Sequence, residues 1–207
     1  GVRIPTGKSA DRSFANKCVE DLLRQLKPFA GSGLVIKVET ITRILGVGVV
    51  WQIRDAGFRV FLDLKLYGNP DTLKQDALAL KDLKPDIVTV CAHSGIKSME
   101  TLKENLPDAE VLGVTVLSSS RALDVRERYA MERAELAYGL AMDAYGAGLD
   151  GIVCPPFLLR QYGSELFSSD PIFALYTPNV FIPGTDVPGR EDQDASDVIS
   201  VEDAIGL

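Results

Sequence analysis

The sequence predicts an α/β protein, and specifically a (β/α)8 barrel in one domain across residues 1–207. Three observations carry that expectation. Short β-branched and apolar runs alternate with segments of helical period, and their hydrophobicity is continuous rather than alternating, as in parallel strands covered on both faces by helices. No Gly-x-Gly-x-x-Gly turn follows the first run, which disfavours an open dinucleotide-binding sheet. Polar residues gather just beyond the C-terminal ends of several strands, where barrels assemble their sites.

In chain order, Phe14, Cys18, Leu22 and Leu26 recur at four-residue steps and predict a first helix, punctuated by Gly31 and Gly33. The first strand follows at LVIKVE (34–39) and the second at RVFLDLK (59–65). Trp51, at helical spacing from Val47 and Asp55, is read as packing between them. Asn69 can cap the next helix, with Pro70 in its first position and Leu73, Ala77 and Leu80 inward. DIVTVCA (86–92) is the third strand, and Ile96, Met99, Leu102 and Leu106 form another inward stripe. VLGVTVL (111–117) is the fourth, followed by a long polar loop at 118–127. Ala137, Leu140, Ala141 and Ala144 line a helix that stops at Gly146-Ala147-Gly148, before GIVCP (151–155) and NVFIPG (179–184). Six runs read as strands, and a full barrel of this kind typically needs about 250 residues. Either the barrel is incomplete at both ends or the strands there are cryptic; a second long polar loop is expected at 183–200.

Composition narrows the function. Twenty-two basic against 29 acidic residues give a net charge of −7, which disfavours a broad surface for nucleic acid or an anionic membrane. No apolar run is long enough to span a bilayer. Three widely spaced cysteines, without a Cys-x-x-Cys pair, suggest neither a disulfide framework nor a zinc site and point to the cytoplasm.

The informative string is Phe61-Leu62-Asp63-Leu64-Lys65, with Gly68-Asn69-Pro70-Asp71-Thr72 behind it. Asp63 and Lys65 are two apart on a strand, so both side chains face the barrel interior. Lys37, near the end of the preceding strand, can bring a second ammonium beside Asp63. A Lys–Asp–Lys row of this kind either serves as a buried structural ion pair or offers a proton donor in Lys65. His93 is the sole histidine and is read as a hydrogen-bonding residue at a strand mouth; Cys91 and Cys154 are read as inert buried thiols. Glu127, Glu132 and Glu135 read as a solvated face, and Gly184, Gly189 and Arg190 as either an anion-binding turn or a plain loop.

From about residue 18 onward the sequence resembles the orotidine 5'-monophosphate decarboxylase family. FLDLK is similar to that family's Asp-x-Lys core and IKVE to its lysine strand; DIVTVCAHSG, VLGVTVLSS and GLDGIVCPP resemble its later strands; IPG with Asp192-Gln193 resembles its phosphate loop. The resemblance implies a homodimer with shared active sites that decarboxylates a small nucleotide, orotidine 5'-monophosphate, to UMP without metal or organic cofactor. It implies that Lys65 protonates C6, that Asp63 repels the substrate carboxylate and holds Lys65, and that Lys37 contacts the ribose. It further implies that Ser118 binds the base edge, that Thr72 reaches the neighbouring subunit's site, and that Gln193, Pro183 and Gly184 grip the base and phosphate. The pattern departs at Gly68, where the family carries a catalytic aspartate, and at Asp186, where it carries an arginine. On that reading the row Lys37, Asp63, Lys65 sums to +1, turnover is weak, and an aspartate at position 68 raises it. Two alternatives remain open at this stage. One is a magnesium-dependent sugar-phosphate decarboxylase or aldolase on the same barrel, with Glu39 as the additional metal carboxylate; the other is a catalytically impaired nucleotide-binding barrel.

Overall fold

The computed structural model describes residues 11–169, 172–183 and 198–206. Among them, six parallel strands form one sheet in chain order: β1 (Val35–Val38), β2 (Arg59–Leu66), β3 (Ile87–Cys91), β4 (Glu110–Val114), β5 (Gly151–Val153) and β6 (Ala174–Tyr176). Strands adjacent in sequence and in space, each joined to the next through helix, give a half-barrel, part of the (β/α)8 barrel that the sequence predicts. Five of the six predicted strand runs lie in this sheet. The last does not: Val180–Phe181 (β7) pairs instead with Ile199–Ser200 (β8) in a separate two-stranded sheet, and the sixth position of the main sheet is taken by Ala174–Tyr176. It is as short as β5 but lacks the adjacent β-branched residues by which GIVCP reads as a strand.

The helices are α1 (Arg12–Leu26), α2 (Thr40–Leu45), α3 (Val49–Asp55), α4 (Pro70–Lys81), α5 (Ile96–Asn105), α6 (Ala122–Tyr129), α7 (Arg133–Gly146), α8 (Pro156–Ser169) and α9 (Val201–Gly206). In α1 the buried line is Ala15 and Val19, one step from the predicted stripe, with Phe14, Cys18, Leu22 and Leu26 flanking it half-buried. Helix α4 follows the prediction: the Asn69 side chain accepts from the Thr72 amide at 2.9 Å, Pro70 occupies the first turn, and Leu73, Ala77 and Leu80 are buried. In α5, Met99 and Leu102 are buried but Ile96 is exposed. The stretch 118–127, expected as loop, contains the start of α6, which Arg121 and Asp124 brace with paired hydrogen bonds of 2.9 and 2.6 Å while Val125 turns inward. Trp51 is 47% exposed on α3, a correction to its reading as packing.

The core lies between sheet and helices, filled by Val60, Leu62, Val88, Val90, Val111 and Ile152 from the strands and the alanine face of α7 from outside. That face is small because the approach is close. A Cβ on Gly113 of β4 would stand 2.8 Å from the Ala144 Cβ, so glycine and alanine together set the distance between α7 and the sheet. At the N-terminal end, aspartates tie neighbouring strands. The Asp86 carboxylate accepts from the Val60 amide at 2.8 Å, and Asp150 accepts from the Val111 amide at 2.6 Å and pairs with Lys103 at 2.7 Å. These bonds hold the strand starts level and leave the C-terminal ends open for chemistry.

Candidate active site at the strand ends

Strand β2 carries the centre of the site, and its backbone is bent there. Lys65 adopts φ +52°, a left-handed conformation uncommon for a residue with a side chain, and the β2–β3 register shifts between Leu62 and Leu66. The strain is held by specific bonds. The Lys65 amide donates to the Thr89 hydroxyl at 2.9 Å, and the Cys91 thiol donates to the Lys65 carbonyl at 3.5 Å. Backbone strain of this kind persists only where surrounding structure over-determines it, and it clusters at functional sites.

The structure brings Lys37, Asp63 and Lys65 together as expected. The Lys37 ammonium lies 2.6 Å and the Lys65 ammonium 3.0 Å from the same Asp63 oxygen, Oδ2. Its other oxygen, Oδ1, accepts from the Thr89 hydroxyl at 2.9 Å. Asp63 is nearly buried and Thr89 wholly so. Burial by itself raises the Asp63 pKa, but the hydrogen bonds and charges of Lys37 and Lys65 outweigh it and hold the carboxyl below its ordinary value. For Lys65 the balance runs the other way: burial pulls it down, and the bonds and charges of Glu39 and Asp63 outweigh that and raise it. Lys65 is thus an ammonium held protonated beside a carboxylate held ionised.

Two further participants were not placed by the sequence. Thr89 is one, a hydroxyl in an otherwise apolar strand; its polarity in DIVTVCA is the signal that could have found it. Glu39 is the other. Read from the sequence only as a metal carboxylate, it instead puts Oε1 2.8 Å from the Lys65 ammonium and Oε2 3.8 Å from that of Lys37. The row therefore holds two cations and two anions, and the expected +1 charge is corrected to zero. Gly68 is correspondingly crowded: a Cβ there would meet Thr72 Cγ2 at 2.7 Å and Thr72 Cβ at 2.8 Å, so Thr72 would have to shift. Among the described residues no group of three or more His, Cys, Asp or Glu side chains is arranged to hold a metal ion.

A cavity of about 370 Å³ opens beside Lys65, walled by Cys91, His93, Thr115, Ser120 and Tyr129 among others. Burial pushes the Cys91 thiol up, partly opposed by Lys65, and lowers His93, so both are uncharged at neutral pH. The His93 ring lies 5.9 Å from that of Tyr129, a ring contact at the cavity mouth. Cys154 is buried, its pKa pushed up to about 12, as befits an inert thiol. Glu127, Glu132 and Glu135 are exposed, as expected of a solvated face.

Of the remaining candidates, Ser118 lies in the turn after β4 and accepts from the Asn179 side-chain amide at 3.1 Å, while the hydroxyls on the cavity wall are those of Thr115 and Ser120. Thr72 is exposed in the first turn of α4, next to Asp71. Pro183 is exposed at the edge of the described segment, and Gly184, Asp186, Gly189, Arg190, Asp192 and Gln193 lie outside the described residues.

The sequence pattern of the orotidine 5'-phosphate decarboxylase / HUMPS family matches residues 12–205. A Staphylococcus epidermidis protein named orotidine 5'-phosphate decarboxylase is 33% identical over 196 residues, covering 90% of this chain and 77% of the relative. Among solved structures, orotidine 5'-phosphate decarboxylase from Lactobacillus acidophilus is 26% identical with a TM-score of 0.65, covering 78% of this chain and 77% of its own. An uncharacterized conserved protein from Geobacillus kaustophilus is 29% identical with the same TM-score of 0.65, covering 78% of this chain and 79% of its own.

Proposed function

Because this chain belongs to the orotidine 5'-phosphate decarboxylase / HUMPS family, we propose that it is a carbon–carbon lyase that converts orotidine 5'-phosphate to UMP in pyrimidine synthesis. The observation that carries the reading is the Lys65 ammonium, 3.0 Å from a buried carboxylate and open to the cavity at the strand ends. In the proposed step the bond between C6 and the carboxylate carbon breaks, its electron pair stays on C6, carbon dioxide leaves, and an Nζ–H proton of Lys65 passes to C6. The amine then regains a proton from solvent. Lys65 supplies the proton, so the step draws on no metal or organic cofactor.

The geometry supports this division of roles by differential stabilisation. Carbanion character at C6 places negative charge next to a preplaced ammonium, an interaction stronger in the transition state than in the ground state. Asp63, ionised and 3.0 Å from the Lys65 ammonium, repels a substrate carboxylate brought to that ammonium and so opposes the ground state. Lys37, which shares the Asp63 Oδ2 with Lys65, contacts the ribose in this reading. Ser118, Thr72, Pro183, Gly184 and Gln193 complete the proposed substrate contacts at base and phosphate. The same reading includes a homodimer in which Thr72 reaches the neighbouring site, in the cytoplasm. A monomer with full activity at micromolar concentration would remove the dimer from it. No helix among the described residues is long and apolar enough to cross a membrane.

The magnesium-dependent alternative draws no support from Glu39, whose carboxylate is engaged by Lys65 and Lys37. The test is release of carbon dioxide from orotidine 5'-phosphate by the native chain and by Lys65→Ala, with and without EDTA. The expected result is turnover that survives EDTA and is lost in the variant, because removing a group that acts in the transition state lowers kcat far more than it weakens binding. A Lys65→Ala protein keeping more than about a tenth of the native rate at saturating substrate, a loss of under 1.4 kcal/mol, would remove Lys65 from the role.

A further inference from the structure

We propose that Glu39 is the fourth charge of the catalytic row: a positioning residue, contributed from the end of β1 of the same chain, that holds the Lys65 ammonium aimed into the cavity. Its effect on turnover rests on the decarboxylase reading above; its hold on Lys65 does not.

Four observations converge on Glu39. Its Oε1 is 2.8 Å from Lys65 Nζ, slightly closer than the Asp63 oxygen at 3.0 Å, so the ammonium is suspended between two carboxylates from two strands. The backbone of Glu39 is fixed independently of that contact. It stands at the N-cap of α2 with φ −138° and ψ −97°, but its side chain makes no capping bond. The helix start is tied instead through the Glu39 carbonyl, which accepts from the Thr42 amide at 3.0 Å and from the buried Thr42 hydroxyl at 2.5 Å. A carboxylate at an N-cap would ordinarily satisfy the helix's own first amides. Here it is released from that duty and turned to the site.

The third observation is charge. With Glu39 the row Lys37, Glu39, Asp63, Lys65 is neutral; without it the net +1 leaves Lys65 one anionic neighbour, shared with Lys37. The fourth is position 68, where glycine brings no carboxylate to the same ammonium from the β2–α4 turn and an added Cβ would have to displace Thr72. Glycine at 68 and glutamate at 39 are two halves of one arrangement. The other groups that line the cavity with Lys65 do not compete for the role: the Asp124 carboxylate is paired with Arg121 at 2.6 Å, Arg128 and Tyr129 bring no carboxylate, Cys91 of β3 is held as a neutral thiol by burial, and His93 beyond it is neutral as well.

The experiment uses the full chain with Glu39→Gln and Glu39→Asp. Titration of lysine side-chain nitrogens by NMR, with Lys65→Ala identifying the Lys65 signal, reads the hold directly; kcat, KM and the pH profile with orotidine 5'-phosphate read its consequence. Removing an opposite charge at this range moves a titration midpoint by roughly one pH unit or more, so Glu39→Gln should bring the Lys65 midpoint, and the alkaline limb of kcat, down by about that much. The rate should fall by roughly tenfold or more with KM little changed, as for an interaction that matters in the transition state. Glu39→Asp, which keeps the charge on a shorter arm, should lie between native and Gln in both readouts. A Lys65 midpoint unmoved in Glu39→Gln overturns the proposal, as does an unmoved kcat in an active enzyme. If Glu39→Gln does not fold, Glu39→Asp decides by the same midpoint. If the native chain releases no carbon dioxide, the decarboxylase reading falls and the NMR titration alone judges Glu39.

Discussion

Replacing Thr89 with valine keeps the shape of a wholly buried side chain and removes one hydroxyl that makes two bonds. As a donor it reaches Asp63 Oδ1 at 2.9 Å; as an acceptor it takes the Lys65 amide at 2.9 Å. A bond to an ionised acceptor contributes about 1.5–3 kcal/mol and a neutral one about 0.5–1.5 kcal/mol. Burying a methyl in place of the hydroxyl returns up to about 0.8 kcal/mol. The expected net loss is therefore about 1.5–3.5 kcal/mol, concentrated where the backbone is already strained at Lys65. The assay is urea unfolding at neutral pH. With a slope of about 2 kcal/mol/M for a chain of this size, the midpoint should fall by about 0.75–1.75 M while the slope stays constant. Thr89→Ser is the control, since it keeps both bonds and loses only a methyl, a cost of about 1 kcal/mol. A valine variant as stable as the serine variant, or within about 0.3 M of the native midpoint, would show that the hydroxyl does not anchor the bend and that the Asp63–Thr89–Lys65 connection is incidental.

Gly68→Asp should not raise the rate of carbon dioxide release and should destabilise the fold by about 1–3 kcal/mol, because the new Cβ runs into Thr72; a faster enzyme that unfolds at the native urea midpoint would refute this. The pH dependence of stability should also carry the signature of the row. Asp63 is held below its ordinary value, so its contribution is present above pH about 4 and lost as pH falls through the lowered value; Lys65 is held above its own, so its contribution is present below pH about 10 and lost as pH rises through the raised value. The stability difference between the native chain and an Asp63→Asn variant should then be level between about pH 5 and pH 9. A steady slope across that interval would mean that neither group has the shifted value that its neighbours impose.

The amino-acid order by itself determined the local structure and the heart of the site. Largely apolar runs of five to seven residues are visible as buried strands, and the 3.6-residue period of Leu73, Ala77 and Leu80 or of Ala137, Ala141 and Ala144 marks the faces that pack on them. Asp63 and Lys65 are legible together because their spacing of two is a property of any strand, and the resemblance of FLDLK and its neighbours to one family named their chemistry. What the tertiary structure decided are relations between residues far apart in the chain or without a strand's local pattern. β6 lacks adjacent β-branched residues and is a strand only because β5 offers it an edge. The left-handed turn at Lys65 depends on a hydroxyl 24 positions away. Glu39 and Lys65, 26 positions apart, meet because β1 and β2 lie side by side in parallel with Lys37 opposite Phe61, which brings the end of one strand to the bend of the other. A charge missing at position 68 could be read from the sequence; that another carboxylate stands beside the same ammonium could not, because electrostatic compensation follows distance in space and is blind to distance along the chain.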